Sequence, residues 1–270
     1  MGIIDSIISK AVEQAALTAE FENCFKDNNG IFVCRTCGKK KQFKFKGRLI
    51  ACQCLCDQRK EKEAKDRLKR EQRIKRLIEL GVTDKKYLTH TFDTDKGYNP
   101  ELSLKCQKYV EKWVEMKKNN IGILFYGDVG AGKSFLACCI GNALINQGVP
   151  VLITNLSKLV ANRVQSNMKQ EEPINLHQFQ LLIIDDLGIE NATQTAYNII
   201  DEWYRTDKPL IVTTNLSPQE IKTAKDIDRR RIYDRIIEMC GSIPIYVKGE
   251  NRRYSISKQK RALAESLLND

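Results

Sequence analysis

The sequence predicts an α/β protein: a five-stranded, mostly parallel sheet with helices on both faces, preceded by a small helical module rich in cysteine. Three observations predict it. Five short apolar runs alternate with helical stretches through the second half of the 270-residue chain. An eight-residue glycine-rich turn, GDVGAGKS, joins the first of those runs to a helix. Six of the ten cysteines crowd between Cys24 and Cys56.

The apolar runs are residues 121–126, 150–154, 181–184, 210–214 and 243–247. Helical spacing of apolar residues falls between them, over 157–168, 193–205 and 227–239. Continuous apolar runs of four to six residues are strands buried on both faces, and strand–helix alternation makes their sheet mostly parallel. Residues 91–118 lead into this core with an amphipathic helix near 102–116. The division expected is therefore a module over 1–90 and a larger domain over 91–270, and charge divides the same way. Residues 1–90 hold 21 basic against 12 acidic side chains, whereas 91–270 hold 24 against 22, within a total of +11. A basic surplus of this kind favours polyanionic partners, above all nucleic acid.

At the N-terminus, Ile3, Ile4, Ile7, Ile8, Ala11, Val12 and Ala15 follow helical spacing, so an amphipathic helix is expected there. Asp5, Lys10 and Glu13 interrupt its apolar run, which argues against a signal peptide. No stretch reaches the roughly 18 apolar residues that span a bilayer. A cytoplasmic setting, in which the cysteines stay reduced, is the expectation. From 58 to 76 the chain is dense in charge of both signs, which reads as a solvated helix.

Gly127, Asp128, Val129, Gly130, Ala131, Gly132, Lys133 and Ser134 fit G-x-x-x-x-G-K-[ST], a strand-to-helix turn that cradles phosphate. The glycines allow the tight turn that aims several N–H groups inward, and the following helix adds its positive end. Lys133 reaches the outer phosphates of a nucleoside triphosphate such as ATP, and the Ser134 hydroxyl suits Mg2+. LLIIDDLG places Asp185 and Asp186 at the carboxyl end of another strand, where ligands of open α/β sheets sit. Asp185 is the candidate magnesium ligand and Asp186 the candidate to orient or deprotonate the attacking water. IVTTNLS ends a further strand and offers the Asn215 amide near a γ-phosphate. DRRRIYDRI puts Arg231 and Arg235 one helical turn apart, and arginine suits the charge of a phosphoryl group in transfer.

The cysteines read C-R-T-C (Cys34, Cys37) and C-Q-C-L-C (Cys52, Cys54, Cys56). Two close pairs separated by a short stretch suit a tetrahedral Zn2+ site closed by thiolates. The expected ligands are Cys34, Cys37, Cys52 and Cys54, with Cys56 the first alternative and Cys24 a weaker one. Gly38 lets backbone N–H groups turn toward sulfur. Between the pairs lies KKKQFKFKGR, in which Phe43 and Phe45 alternate with cations. That pattern suits stacking on single-stranded bases, and equally a hairpin whose aromatics cover the metal site.

Together, GDVGAGKSFLACCIGNALINQGVPVLITNLSKLV, LLIIDDLGIE, NIIDEWYRTDKPLIVTTNL and RRRIYDRI resemble the AAA+ ATPases. More narrowly they resemble the DnaC/DnaI-type replicative helicase loaders and the transposition helper IstB, over about residues 85–255. The resemblance implies an AAA+ core hydrolysing ATP to ADP and phosphate. It implies Asn215 as sensor 1, Arg235 as a finger given to a neighbouring subunit, with Arg231 sharing that role as an alternative, and Arg253 as sensor 2. It further implies self-association, a hexameric replicative helicase as partner and single-stranded DNA as the track, with the cysteine module gripping the helicase. The short tail after the last strand implies that a full helical lid is lacking. Two other readings stand beside it: a helper that binds duplex DNA for a transposase, and an adaptor that binds ATP with negligible turnover.

Overall fold

The computed structural model describes residues 21, 23–170, 172–188, 194–222, 227–249, 251, 260–261 and 264–268. The N-terminal amphipathic helix expected over residues 3–15 lies outside the described residues, as do Arg252 and Arg253. The chain divides into two compact units, one ending at Gln72 and the other beginning at Arg73.

The first unit is built from two antiparallel hairpins, β1 (Cys24–Lys26) with β2 (Phe32–Cys34) and β3 (Gln42–Phe45) with β4 (Arg48–Ala51). The long helix α1 (Leu55–Gly81) begins in this unit and its last residues belong to the second. Residues 59–72 of α1 are exposed throughout, as a helix of mixed charge with few apolar residues must be. Little is buried among the described residues of the first unit. Phe21 stacks on Phe32 with ring centroids 4.4 Å apart, and Lys41 is paired with Asp57 at 2.9 Å.

In the second unit α2 (Pro100–Glu111) and α3 (Trp113–Lys118) replace the single helix expected near 102–116, because the backbone leaves helical geometry at Lys112. Five strands follow: β5 (Ile123–Gly127), β6 (Val151–Thr154), β7 (Leu181–Ile184), β8 (Leu210–Thr213) and β9 (Pro244–Val247). All pairings among them are parallel, in the order β6-β7-β8-β5-β9. The connecting helices are α4 (Lys133–Asn146), α5 (Leu156–Lys169), α6 (Gln194–Tyr204), α7 (Pro218–Lys222) and α8 (Ile227–Cys240).

Side chains alternate across a strand, so the sheet faces two cores. Ile123, Phe125, Ile153, Ile183 and Ile211 pack with Leu136, Ile140 and Leu144 of α4 and with Tyr109 and Trp113. Leu124, Leu152, Leu182, Leu210 and Val212 pack with Ile200 and Trp203 of α6 and Ile236 of α8. The order of strands matters for function. β8 lies between β5 and β7, so the phosphate-type turn after β5 and the acid pair after β7 stand two strand spacings apart, about 10 Å. The polar end of β8 falls between them.

Candidate nucleotide site and cysteine cluster

The turn after β5 adopts the geometry its glycines permit. Gly127, Gly130 and Gly132 have φ of 123°, 78° and 105°, a region closed to most side chains, and Gly132 caps the N-terminus of α4. At Gly130 a Cβ would also meet Asn251 Oδ1 at 2.1 Å, so the Asn251 side chain would have to swing aside. Asp128 fastens the turn to the end of the last strand, accepting hydrogen bonds from the Tyr246 hydroxyl (3.0 Å) and the Gly249 N–H (3.3 Å). Lys133 is buried, and its ammonium donates to the carbonyls of Gly127 (2.8 Å) and Asp128 (2.7 Å). A buried cation held by neutral carbonyls is well placed for a phosphate, which offers stronger charge-assisted bonds. Val129 is exposed, Ala131 is buried beneath the turn, and Ser134 is half-buried in the first turn of α4.

Across β8, Asp185 is buried and Asp186 exposed. Thr213 holds both. Its hydroxyl donates to Asp185 Oδ1 at 2.7 Å and accepts the Asp186 N–H at 2.8 Å. Thr214 donates to the Leu187 carbonyl at 2.9 Å, locking the loop that follows. Asp186 has φ of 51°, a strained value for a residue with a side chain, and such strain collects at working sites. Burial, and after it the charge of Asp185, push the Cys138 thiol up. Cys138 lies one turn beyond Ser134 on α4. Ser134 and Asp185 each carry a hard oxygen donor of the kind Mg2+ takes. A cleft of about 340 Å3 runs alongside, lined by Gly127, Asp128, Val129, Asn215, Glu220 and Tyr246 among others. Asn215 therefore shares a wall with the phosphate-type turn.

Arg235 is engaged within its own chain. It forms an ion pair with Asp201 of α6, and its guanidinium lies over Tyr197 (4.6 Å) and Tyr204 (5.3 Å). Arg231 is exposed, lies over the same Tyr197 ring at 4.5 Å and donates to its hydroxyl at 3.4 Å. Sequence reasoning missed this polar stripe, although Tyr197, Asp201 and Tyr204 recur at helical spacing. It also missed Thr213 as the residue that fixes both acids.

In the first unit, Cys34, Cys37, Cys54 and Cys56 converge, with all four Sγ atoms within 4.8 Å of one another. Tetrahedral zinc with 2.3 Å bonds to sulfur needs separations of about 3.8 Å, so the set fits the ion with little movement. Cys52, expected in the set, stands outside it, and Cys56 takes its place. The cause is the end of the hairpin. The Cys52 N–H donates to Lys41 O at 2.7 Å and its thiol to Lys40 O at 3.5 Å, extending the β3–β4 ladder by one residue. The chain then turns into α1 at Leu55, which swings Cys54 and Cys56 together. The N–H groups of Cys37 and Thr36 point at the Cys34 sulfur and hold that thiol down to about 6, while burial pushes Cys54 up to about 12. The N–H of Lys39 likewise holds Cys37 down, while a hydrogen bond with Cys37 pushes Cys56 up, and two thiols that ionise readily beside two that resist form a donor set that a dication would complete.

The fold, the phosphate-type turn and the acid pair define a P-loop ATP-binding protein. The family model of IstB-like ATP binding proteins matches residues 38–262, and the chain belongs to that family. Among curated relatives, the chain is 26% identical to the replicative helicase loader DnaI of Bacillus subtilis, over 49% of this chain and 48% of that protein. It is 29% identical to the replicative helicase loader DnaC of Buchnera aphidicola subsp. Acyrthosiphon pisum, over 56% of this chain and 64% of that protein. The chain thus spans about half to two thirds of the length of these relatives. A solved structure of DnaI aligns with a TM-score of 0.49 at 20% identity, covering 66% of this chain and 99% of that one. Among the described residues no helix is long and apolar enough to cross a membrane.

Proposed function

We propose that this chain hydrolyses ATP and uses the cycle to load a hexameric replicative helicase onto single-stranded DNA in the cytoplasm. The observation that carries the reading is that the phosphate nest, the Thr213-held acid pair and Asn215 all lie at the carboxyl end of the sheet, after the three adjacent strands β5, β7 and β8. The similarity to proteins named replicative helicase loaders supports the cellular role. In this reading the turn amides and Lys133 bind the β- and γ-phosphates, and Ser134 and Asp185 hold magnesium. The ion would draw charge from the phosphate oxygens. Asp186, free of the buried contacts that hold Asp185, orients the attacking water. Asn215 and Arg253 register the γ-phosphate. Arg235, or Arg231 beside it, completes the site of a neighbouring subunit, which couples turnover to self-association. Residues 1–90 grip the helicase, with zinc held by Cys34, Cys37, Cys54 and Cys56, and 91–270 form the ATPase domain.

The test is the ATP hydrolysis rate of the purified chain alone, with single-stranded DNA and with duplex DNA, with Lys133→Ala as the blank. Stimulation by single strands supports loading. Stimulation by duplex alone moves the function to a transposition helper, the reading that the IstB family name favours. No turnover under any condition, with ATP still bound, leaves an adaptor that uses ATP as a clamp. Asp186→Asn should keep ATP binding and lower turnover by a hundredfold or more if Asp186 directs the water.

A further inference from the structure

The β3–β4 hairpin has a composition that folding alone does not account for. Phe43 pairs across the ladder with Ile50, and Phe45 with Arg48, so these four side chains share one face. Phe43 is 46% and Phe45 55% exposed. About half of each aromatic residue is therefore open to solvent. The turn joining the strands is Lys46-Gly47, with φ of 46° and 80°, a two-residue hairpin turn in which both residues are left-handed. Asparagine or glycine is the unstrained choice at the first position. Lysine there costs backbone energy and places a cation over the Phe45 ring, 5.6 Å from its centroid. From Lys39 to Arg48 the chain holds six cations and no acid. Lys41 is paired with Asp57 and Lys40 lies 3.8 Å from Asp27, whereas no carboxylate is paired with Lys44, Lys46 or Arg48 among the described residues.

We infer that this face is a binding site for single-stranded DNA. Bases stack on Phe43 and Phe45 while Lys46 and Arg48 neutralise the phosphates on either side. Charge selects the occupant: an apolar protein surface would gain from Phe43, Phe45 and Ile50 but would have to desolvate unpaired cations, whereas a polynucleotide satisfies both. The base of the hairpin is fixed by the cysteines, since Cys52 continues its ladder and Cys54 enters the cluster. A two-stranded ribbon is marginal alone, and a metal staple at its root would hold the stacking face rigid. The proposal rests on the loader reading only in choosing DNA over RNA. It does not need ATP.

The experiment is fluorescence anisotropy of a labelled oligo-dT with the full-length, zinc-loaded chain in the absence of nucleotide, with heparin as a polyanion that carries no bases. Phe43→Ala/Phe45→Ala should weaken oligo-dT binding at least tenfold, leave heparin binding unchanged and keep the zinc content of the unaltered chain. Lys46→Gln/Arg48→Gln should weaken both ligands and lower the slope of log affinity against log salt by about 1.4. Lys133→Ala should bind oligo-dT normally, so loss of turnover and loss of strand binding are separate results. Unchanged oligo-dT affinity in the phenylalanine variant would overturn the site. So would equal losses for oligo-dT and heparin, or normal oligo-dT binding with failure to capture the replicative helicase, which would make the face a protein contact.

Discussion

In the α/β core every residue of β6, β7 and β8 is buried. Among the described residues of the cysteine module those buried are Phe21, Val33, Cys34, Lys41, Gln42 and Cys54, two of them members of the thiol cluster, while Phe25, Phe43, Phe45, Leu49 and Ile50 are exposed. The core is held by apolar area, each large side chain contributing about 2 kcal/mol on leaving water. The described residues of the module bury little apolar area and carry instead four thiols whose sulfurs lie within 4.8 Å of one another. The two regions should therefore fail under different treatments, and the failures should be separable.

The largest effect tests that separation directly. Purified chain should hold about one zinc, and removing it with a chelator should abolish protection of the amides over residues 23–54, because metal binding and folding are one free energy in modules of this size, on the order of 10 kcal/mol. The sheet should keep its slow amide exchange throughout. Cys54→Ser should reproduce the loss, and Cys52→Ser should not. A metal-free chain with a protected module would show that the hairpins hold themselves.

The converse experiment acts on the core. Trp203 is fully buried in the core that also holds Leu182, Leu210 and Ile236. Trp203→Ala should cost about 3–5 kcal/mol, read from the denaturant midpoint of the second unit, with zinc content unchanged.

What could be read from the sequence divides along the same line. The strands, the phosphate-type turn and the acid pair were legible because their signals are local: an apolar run, a glycine spacing, an acid at a strand end. The second cysteine pair of the cluster was not fully legible. Whether Cys52 or Cys56 joins Cys54 depends on where β4 stops and α1 starts, and C-Q-C-L-C offers both spacings with equal chemistry. Partners far apart in the chain were not legible either. Asp201 and the two tyrosines that hold Arg235 lie on a different helix, and Thr213 reaches back 28 residues to Asp185.

The contact between Arg235 and Asp201 yields a smaller effect. Both side chains are mostly buried, at 24% and 16% exposure, and the guanidinium also lies over two tyrosine rings that do not depend on the acid. Asp201→Asn should therefore cost only about 1–2 kcal/mol, less than the usual loss on breaking a buried pair. If Arg235 serves a neighbour's site, Asp201→Asn should maintain or raise turnover in the assembled state while Arg235→Ala lowers it. Equal losses in both variants would make the pair structural and move the finger role to Arg231.

The smallest effect sits at one residue of the module. Lys46 is held left-handed at φ of 46°, and relieving that strain with Lys46→Asn should stabilise the hairpin by about 1 kcal/mol. If the module folds with zinc, the gain should appear as zinc affinity, about fivefold tighter in competition with a chromophoric chelator. The same change removes the cation over Phe45, so oligo-dT affinity should fall while zinc affinity rises. Opposite movement of the two affinities would mean that the strain serves the binding face. Movement in the same direction would mean that Lys46 stabilises the turn and contributes nothing to a bound strand.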